Sequence, residues 1–123
     1  MSKSLKVLVA EDNLINQKVA MINLKKLGHK VEIAVNGQMA VDMYKSGNYD
    51  VILMDIQMPI LDGLEATIAI RKYEEENGLD KTKIIAITAN ALNEDKDKCF
   101  EVGMNEYITK PIQTDELKNM LRI

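Results

Sequence analysis

The stretch Val51-Ile52-Leu53-Met54-Asp55-Ile56-Gln57-Met58-Pro59 decides the reading of this chain. Five of its first six residues are apolar and the other is a carboxylate. A short apolar run of this kind suits a strand covered on both faces, as in a parallel sheet. Asp55 falls where that strand should end. Pro59 cannot extend a central strand, and Asp62-Gly63 is a turn signal. The chain therefore brings one carboxylate to the lip of a sheet and turns away. A lone Asp there also suits the start of a turn, so the choice rests on what the other strands deliver beside it.

Upstream, Leu5 to Ala10 reads as a strand, with Glu11-Asp12-Asn13 at its C-terminal end. Acids and amides there could simply cap the following helix. That helix is expected from about Leu14 to Leu27, with Gly28 as its stop. At about 100° per residue, Val19, Ala20, Leu24 and Leu27 share a face, the expected core face. Asn16 and Asn23 fall near the same face, a polar feature for which the sequence supplies no partner. Ile15 and Ile22 lie roughly 120° away with Lys18 beside them, as flank packing or as a narrow docking stripe for a partner helix. Lys30 to Val35 reads as the second strand, Asn36-Gly37 as a turn, and Gln38 to Lys45 as a short helix bearing Ala40, Val41 and Tyr44. His29, the single histidine, has no second histidine with which to share a metal and reads as a surface loop residue.

Downstream, a helix is expected from about Leu64 into Glu74. The run Glu74-Glu75-Glu76-Asn77-Gly78 reads as a charged helix end with a Gly stop. Lys83 to Thr88 is the fourth strand and ends on a hydroxyl. A polar helix follows from about Asn93 to Val102, in which Cys99 reads as packed rather than reactive. Glu106 to Thr109 is the fifth strand, with Lys110-Pro111 at its end. An X-Pro bond is the kind of peptide that can be cis, an isomer that would aim Lys110 back toward the sheet edge. A last helix starts at Thr114.

Strands alternating with helices imply a parallel sheet with helices on both faces. Right-handed crossovers place all strand C-termini on one edge, where open α/β sheets bind ligands at the reversal of strand order. The expected fold is therefore a doubly wound (βα)5 sandwich of flavodoxin-like type, with five parallel strands in the order 2-1-3-4-5. Its ligand edge would gather Glu11 and Asp12, Asp55, Thr88 and Lys110, while the second strand would sit silent beyond the switch point. Three crowded carboxylates repel and raise one another's pKa values. A hard divalent cation relieves this, and Mg²⁺ keeps positions open for phosphate oxygens. Asp55 is then placed to accept a phosphoryl group as an aspartyl phosphate, with Thr88 as a hydrogen-bond donor and Lys110 as counter-charge.

The bulk properties bound the function classes. The 123 residues fit one domain, 1–123, with nothing in it to serve as an output domain. A net charge of −3 gives no electrostatic case for nucleic acid. The single cysteine, Cys99, allows no internal disulfide and fits a reducing compartment. No apolar run is long enough to span a bilayer. These features point to a cytoplasmic domain without membrane contact.

On the pieces Ala10-Glu11-Asp12-Asn13, Met54-Asp55-Ile56-Gln57-Met58-Pro59 with Asp62-Gly63, Ile87-Thr88-Ala89 and Tyr107-Ile108-Thr109-Lys110-Pro111, the chain resembles the receiver domain of two-component response regulators over essentially its whole length. The resemblance implies that Asp55 is the phosphoacceptor. It implies that Asp12 and Asp55 bind Mg²⁺, or Mn²⁺ in its place, with the Gln57 backbone carbonyl, and that Glu11 does so largely through water. Thr88 and Lys110 would contact the phosphoryl group, and Thr88 and Tyr107 would switch the face made by the fourth helix, fifth strand and fifth helix. Gln57 and Asn90 occupy positions that tune dephosphorylation, and neither can activate water. The phrase from Glu11 to Gln17 and that from Met54 to Pro59 look most like receivers of hybrid histidine kinases and phosphorelays. The expected partner is thus a histidine kinase or histidine phosphotransfer domain, which the Ile15/Ile22 stripe would suit. The expected state is a monomer or a weak phosphorylation-dependent dimer, either standing alone or excised from a larger kinase.

Three rivals are weaker. A haloacid dehalogenase-type phosphatase needs a second Asp where Gln57 stands. An FMN binder needs a phosphate-cradling loop where Glu11-Asp12 would repel the phosphate. A degenerate receiver, acting only as a binding module, lacks one of the acidic, acceptor or lysine positions, all of which are present here.

Overall fold

The computed structural model describes residues 4–89, 93–110 and 112–121. Its elements run β1 (Lys6–Ala10), α1 (Leu14–Lys26), β2 (Lys30–Ala34), α2 (Gly37–Ser46), β3 (Val51–Asp55), α3 (Gly63–Glu76), β4 (Lys83–Thr88), α4 (Asn93–Glu101), β5 (Glu106–Thr109) and α5 (Thr114–Met120). The five strands form one parallel sheet in the order β2-β1-β3-β4-β5. The flavodoxin-like sandwich expected from the alternation of patterns is the one observed, and the element ends differ from expectation by a residue or two.

The two-residue period of the strands explains the two cores. In β3, Ile52 and Met54 join Leu8, Ala10, Ile84 and Ala86 in the core shared with Ala40, Val41, Ala66, Ile70 and Cys99. Val51 and Leu53 point the other way, with Val7, Val9, Ile85 and Ile87, against Ala20, Leu24 and Leu117. Strand β3 is consequently buried at every position, whereas the edge strand β2 is not. At about 25 cal/mol per Å² of apolar surface, such doubly covered strands are the main stabilising element.

Helix α1 departs from its expected face. Ala20 and Leu24 are buried, but Val19 is 38% exposed, because α1 makes its contact along the Ala20/Leu24 line and leaves Val19 at the rim. Helix α3 starts with a capping box between Asp62 and Glu65. His29, expected as a surface residue, is half-buried, and its Nδ1 accepts a hydrogen bond from the Leu5 N–H at 3.0 Å. Glu74, expected within a charged helix end, is 2% exposed. It pairs with Arg71 at 2.8 Å and accepts from the Tyr44 hydroxyl and the Thr82 N–H, each at 2.7 Å. Among the described residues, no helix is long and apolar enough to cross a membrane.

Candidate functional site

The C-terminal ends of β1, β3, β4 and β5 open into one cleft lined by Glu11, Asp12, Asp55, Gln57, Thr88 and Lys110, among others. Parallel register sets this convergence. Ala10 stands beside Met54, Asp55 beside Ile87 and Thr88 beside Thr109, so the residues that follow the strands emerge at one level. The loops are tied to the sheet edge by backbone bonds: Glu11 N–H to Ala34 O, Ile56 N–H to Ile87 O, and Lys110 N–H to Thr88 O, at 2.9, 3.1 and 2.8 Å.

Gly63 explains the sharpness of the turn after Asp55. A Cβ at Gly63 would lie 2.2 Å from the Asp55 carbonyl oxygen, so only glycine lets α3 begin this close to the strand end. Its N–H bonds to Ile56 O at 2.8 Å. Between them, Ile60 holds φ at 71° while 79% exposed, an unfavourable conformation for a β-branched residue.

Glu11 and Asp55 are 2% and 4% exposed, and Asp12 is exposed at the mouth. Ligand oxygens from all three carboxylates lie within 4.8 Å of one another. Lys110 Nζ is 3.2 Å from Asp55 Oδ2 and 3.3 Å from Glu11 Oε2. Asp55 Oδ1 accepts from the Gln57 N–H at 3.2 Å. Burial, then the neighbouring Glu11, push the Asp55 carboxyl up to about 7, against a smaller opposing pull from Lys110. Burial works to lower the Lys110 ammonium, but Asp55 and Glu11 together outweigh it, so its pKa lies above the ordinary lysine value. One lysine thus faces a pair of buried carboxylates and an exposed third. A hard divalent cation fits this all-oxygen donor set and would relieve the crowding.

The remaining sequence-derived positions separate cleanly. Thr88 is buried at the cleft wall. Tyr107 is half-buried on β5, edge-on to Phe100 with ring centroids 6.5 Å apart, and Lys96 Nζ lies 5.1 Å from its ring centroid. Ile15 and Ile22 are 71% and 64% exposed on α1, outside the cleft. Asn90 and Pro111 lie outside the described residues. Asn13, Asn16 and Gln17 were not expected as site residues. The Asn13 N–H and the Asn16 amide both donate to Glu11 Oε1, at 3.2 and 3.1 Å, and the Gln17 amide donates to Glu11 O at 2.8 Å. The signal for Asn16 was its polarity near a buried helix face.

Comparison with known proteins agrees with this geometry. The family model described as "Response regulator receiver domain" matches residues 7–122. Hybrid signal transduction histidine kinase K of Dictyostelium discoideum is 43% identical over 122 residues, which are 96% of this chain and 10% of that protein. The chain therefore spans about a tenth of the length of that curated relative. Among solved structures, one similar chain comes from the Saccharomyces cerevisiae complex of the histidine phosphotransfer signaling protein Ypd1 with the receiver domain of Ssk1. It has a TM-score of 0.93 and 36% identity over 98% of this chain and 88% of that one. The receiver domain of sensor histidine kinase PA1611 from Pseudomonas aeruginosa PAO1, with a magnesium ion coordinated in its active site cleft, has a TM-score of 0.86. It is 40% identical over 97% of this chain and 95% of that one.

Proposed function

The chain belongs to the response regulator receiver family, whose members are signalling domains rather than ordinary enzymes, and from that premise we propose that it takes a phosphoryl group from a phosphohistidine onto Asp55. The observation that carries this reading is the convergence of Asp55 with Glu11, Asp12, Thr88 and Lys110 in one cleft.

In the proposed transfer an Asp55 carboxylate oxygen forms a bond to phosphorus while the donor's P–N bond breaks. The bonding pair leaves on the imidazole nitrogen, and the product is an aspartyl phosphate. The Gln57 N–H donates to one Asp55 oxygen and Lys110 to the other, which orients the carboxylate before the donor arrives. Lys110 already shares its charge between Asp55 and Glu11, so it can turn to a phosphoryl oxygen without entering from solvent. The Thr88 hydroxyl supplies a donor to another oxygen. Asp12, Asp55 and the Gln57 backbone carbonyl would hold Mg²⁺, with Glu11 acting through water and Mn²⁺ serving as a substitute. The cation supplies charge neutralisation of the phosphoryl oxygens.

The reading extends to regulation and partners. Thr88 would follow the phosphoryl group and Tyr107 would swing inward, so that the surface of α4, β5 and α5 changes. The donor would be a histidine kinase or a histidine phosphotransfer protein, which the hybrid-kinase relatives and the Ypd1-bound neighbour support. We read the domain as cytoplasmic, a reading supported by such a donor and by Cys99 being a free, buried cysteine. Gln57 and Asn90 are neutral amides, and the phosphorylated state should not be unusually short-lived.

Intact mass spectrometry after incubation with acetyl phosphate and Mg²⁺ tests the reading. A gain of about 80 Da that disappears in Asp55→Asn and without metal is expected. No adduct, together with no response of Thr88 and Tyr107 signals to beryllofluoride, would leave a binding module without phosphoacceptor chemistry.

A further inference from the structure

We infer that Asn16 is a positioning residue of the acidic cleft, acting through Glu11. The inference rests on the phosphoacceptor reading of the site and deepens it. Helix α1 opens with Asn13 as N-cap, whose side chain accepts from the Asn16 N–H at 3.1 Å. In a usual capping box, the third helical residue returns a side-chain acceptor to the N-cap N–H. Here Asn16 occupies that position, but its amide donates to Glu11 and does not accept from the N-cap N–H. The Asn13 N–H goes instead to Glu11 Oε1, and the Asn16 Nδ2 donates to the same oxygen at 3.1 Å. Glu11, which precedes the helix, thus serves as the carboxylate of the cap.

The consequence is a fixed carboxylate. Oε1 of the buried Glu11 receives two donors, enough to occupy its lone pairs. That leaves Oε2 as the oxygen that meets Lys110, at 3.3 Å. The orientation of the Asn16 amide is set by chemistry, since its Oδ1 turned toward a carboxylate would repel it. Gln17 holds the Glu11 carbonyl from the same helix. Asn16 itself lines the wall of the acidic cleft beside Glu11. Without its amide, Glu11 keeps only the Asn13 N–H on Oε1, and its carboxylate can rotate to take Lys110 on both oxygens. Lys110 is then drawn from Asp55, and the cleft loses its arranged negative oxygens. Groups that orient metal ligands in this manner typically contribute 10–100-fold to metal affinity.

The test is Mg²⁺ titration by calorimetry on four proteins: parent, Asn16→Ala, Glu11→Ala and the double variant, with thermal unfolding in chelator to show that each is folded. Asn16→Leu, which keeps side-chain volume without a donor, is run beside Asn16→Ala. The expected result is an approximately tenfold weaker Mg²⁺ affinity for both Asn16 variants, and no further loss when Asn16→Ala is added to Glu11→Ala. Non-additivity of this kind separates action through Glu11 from a general effect on the helix. Unchanged affinity in Asn16→Ala, or the same loss with Glu11 absent, overturns the inference and leaves the phosphoacceptor reading intact. Failure of the parent itself to bind Mg²⁺ overturns both.

Discussion

At the scale of single residues, Asp55 is held at a cost to the metal-free fold. Its carboxyl is pushed up to about 7, while in the unfolded chain it has its ordinary value near 3.9. The folded state therefore binds this proton more tightly. The resulting stability is fully present below about pH 4 and is lost as pH rises through about 7. Asp55→Asn removes the charge and keeps the shape, so in chelator at pH 8 it should be more stable than the parent by about 1–2 kcal/mol, a figure discounted for partial solvent screening. Chemical denaturation at pH 8 and pH 5 checks this: the gap should narrow at the lower pH, and added Mg²⁺ should stabilise the parent more than the variant. His29 has the opposite sign. Burial lowers its pKa, and its Nδ1 must stay unprotonated to accept from Leu5. Its contribution is present above about pH 6.5, the unfolded value, and is lost as pH falls through the lower folded value. In the Asp55→Asn background, stability should fall on acidification below about pH 6.5, and His29→Gln should flatten that slope.

At the scale of elements, the turn from β3 into α3 is where packing sets chemistry. Gly63→Ala places a methyl against the Asp55 carbonyl, 2.2 Å away before relaxation. Either α3 or the strand end must shift, and the expected loss is about 2–3 kcal/mol, typical of overpacking. Phosphorylation by acetyl phosphate should slow as well, because the displaced atoms carry the proposed acceptor. A variant that keeps parent stability and labelling would show the turn to be slack. The contrast with Glu74 shows what was legible in the sequence. The Asp62-Gly63 pair marked a turn because its chemistry is local, and the apolar runs marked the strands because their burial is two-sided. Glu74 sits in a run of three glutamates; its spacing from Ala66 and Ile70 puts it on the buried face of α3, but that spacing does not supply the partners that make a buried carboxylate tolerable. Its partners Tyr44 and Thr82 come from α2 and the residue just before β4, 30 and 8 residues away. The same holds for Asn23, which meets Thr114 across 91 residues. Asn16 and Gln17 differ from these, since both meet Glu11 only five and six residues away; their contacts depend on how the loop after β1 enters α1, a geometry that no apolar period reports, whereas the strand ends could be placed from the apolar runs alone.

At the scale of the whole molecule, α1 shows apolar residues on two faces. Ala20 and Leu24 are buried against the sheet, while Leu14, Ile15 and Ile22 are 63%, 71% and 64% exposed. A helix serving only its own core would carry polar residues on the outer side. Ile15 and Ile22 are seven residues apart and so share a face, and Ile15 lies one helical position before Asn16, which lines the cleft. On the proposed reading, an incoming helix that carries phosphohistidine would bring its imidazole to Asp55 and would cover apolar surface near it to gain affinity. The Ile15/Ile22 stripe is the apolar surface on the α1 side of the cleft that could be covered in this way. Ile15→Lys and Ile22→Lys should therefore each slow transfer from a phosphorylated histidine phosphotransfer protein about tenfold, as expected for loss of an interface residue contributing more than 1 kcal/mol. Labelling by acetyl phosphate should stay within twofold of the parent, because a small donor needs only the cleft and no docking face. Comparing the two donors separates docking from chemistry. Equal slowing with both would place the damage in the cleft itself, and no slowing with either would assign the outer face of α1 to some other contact.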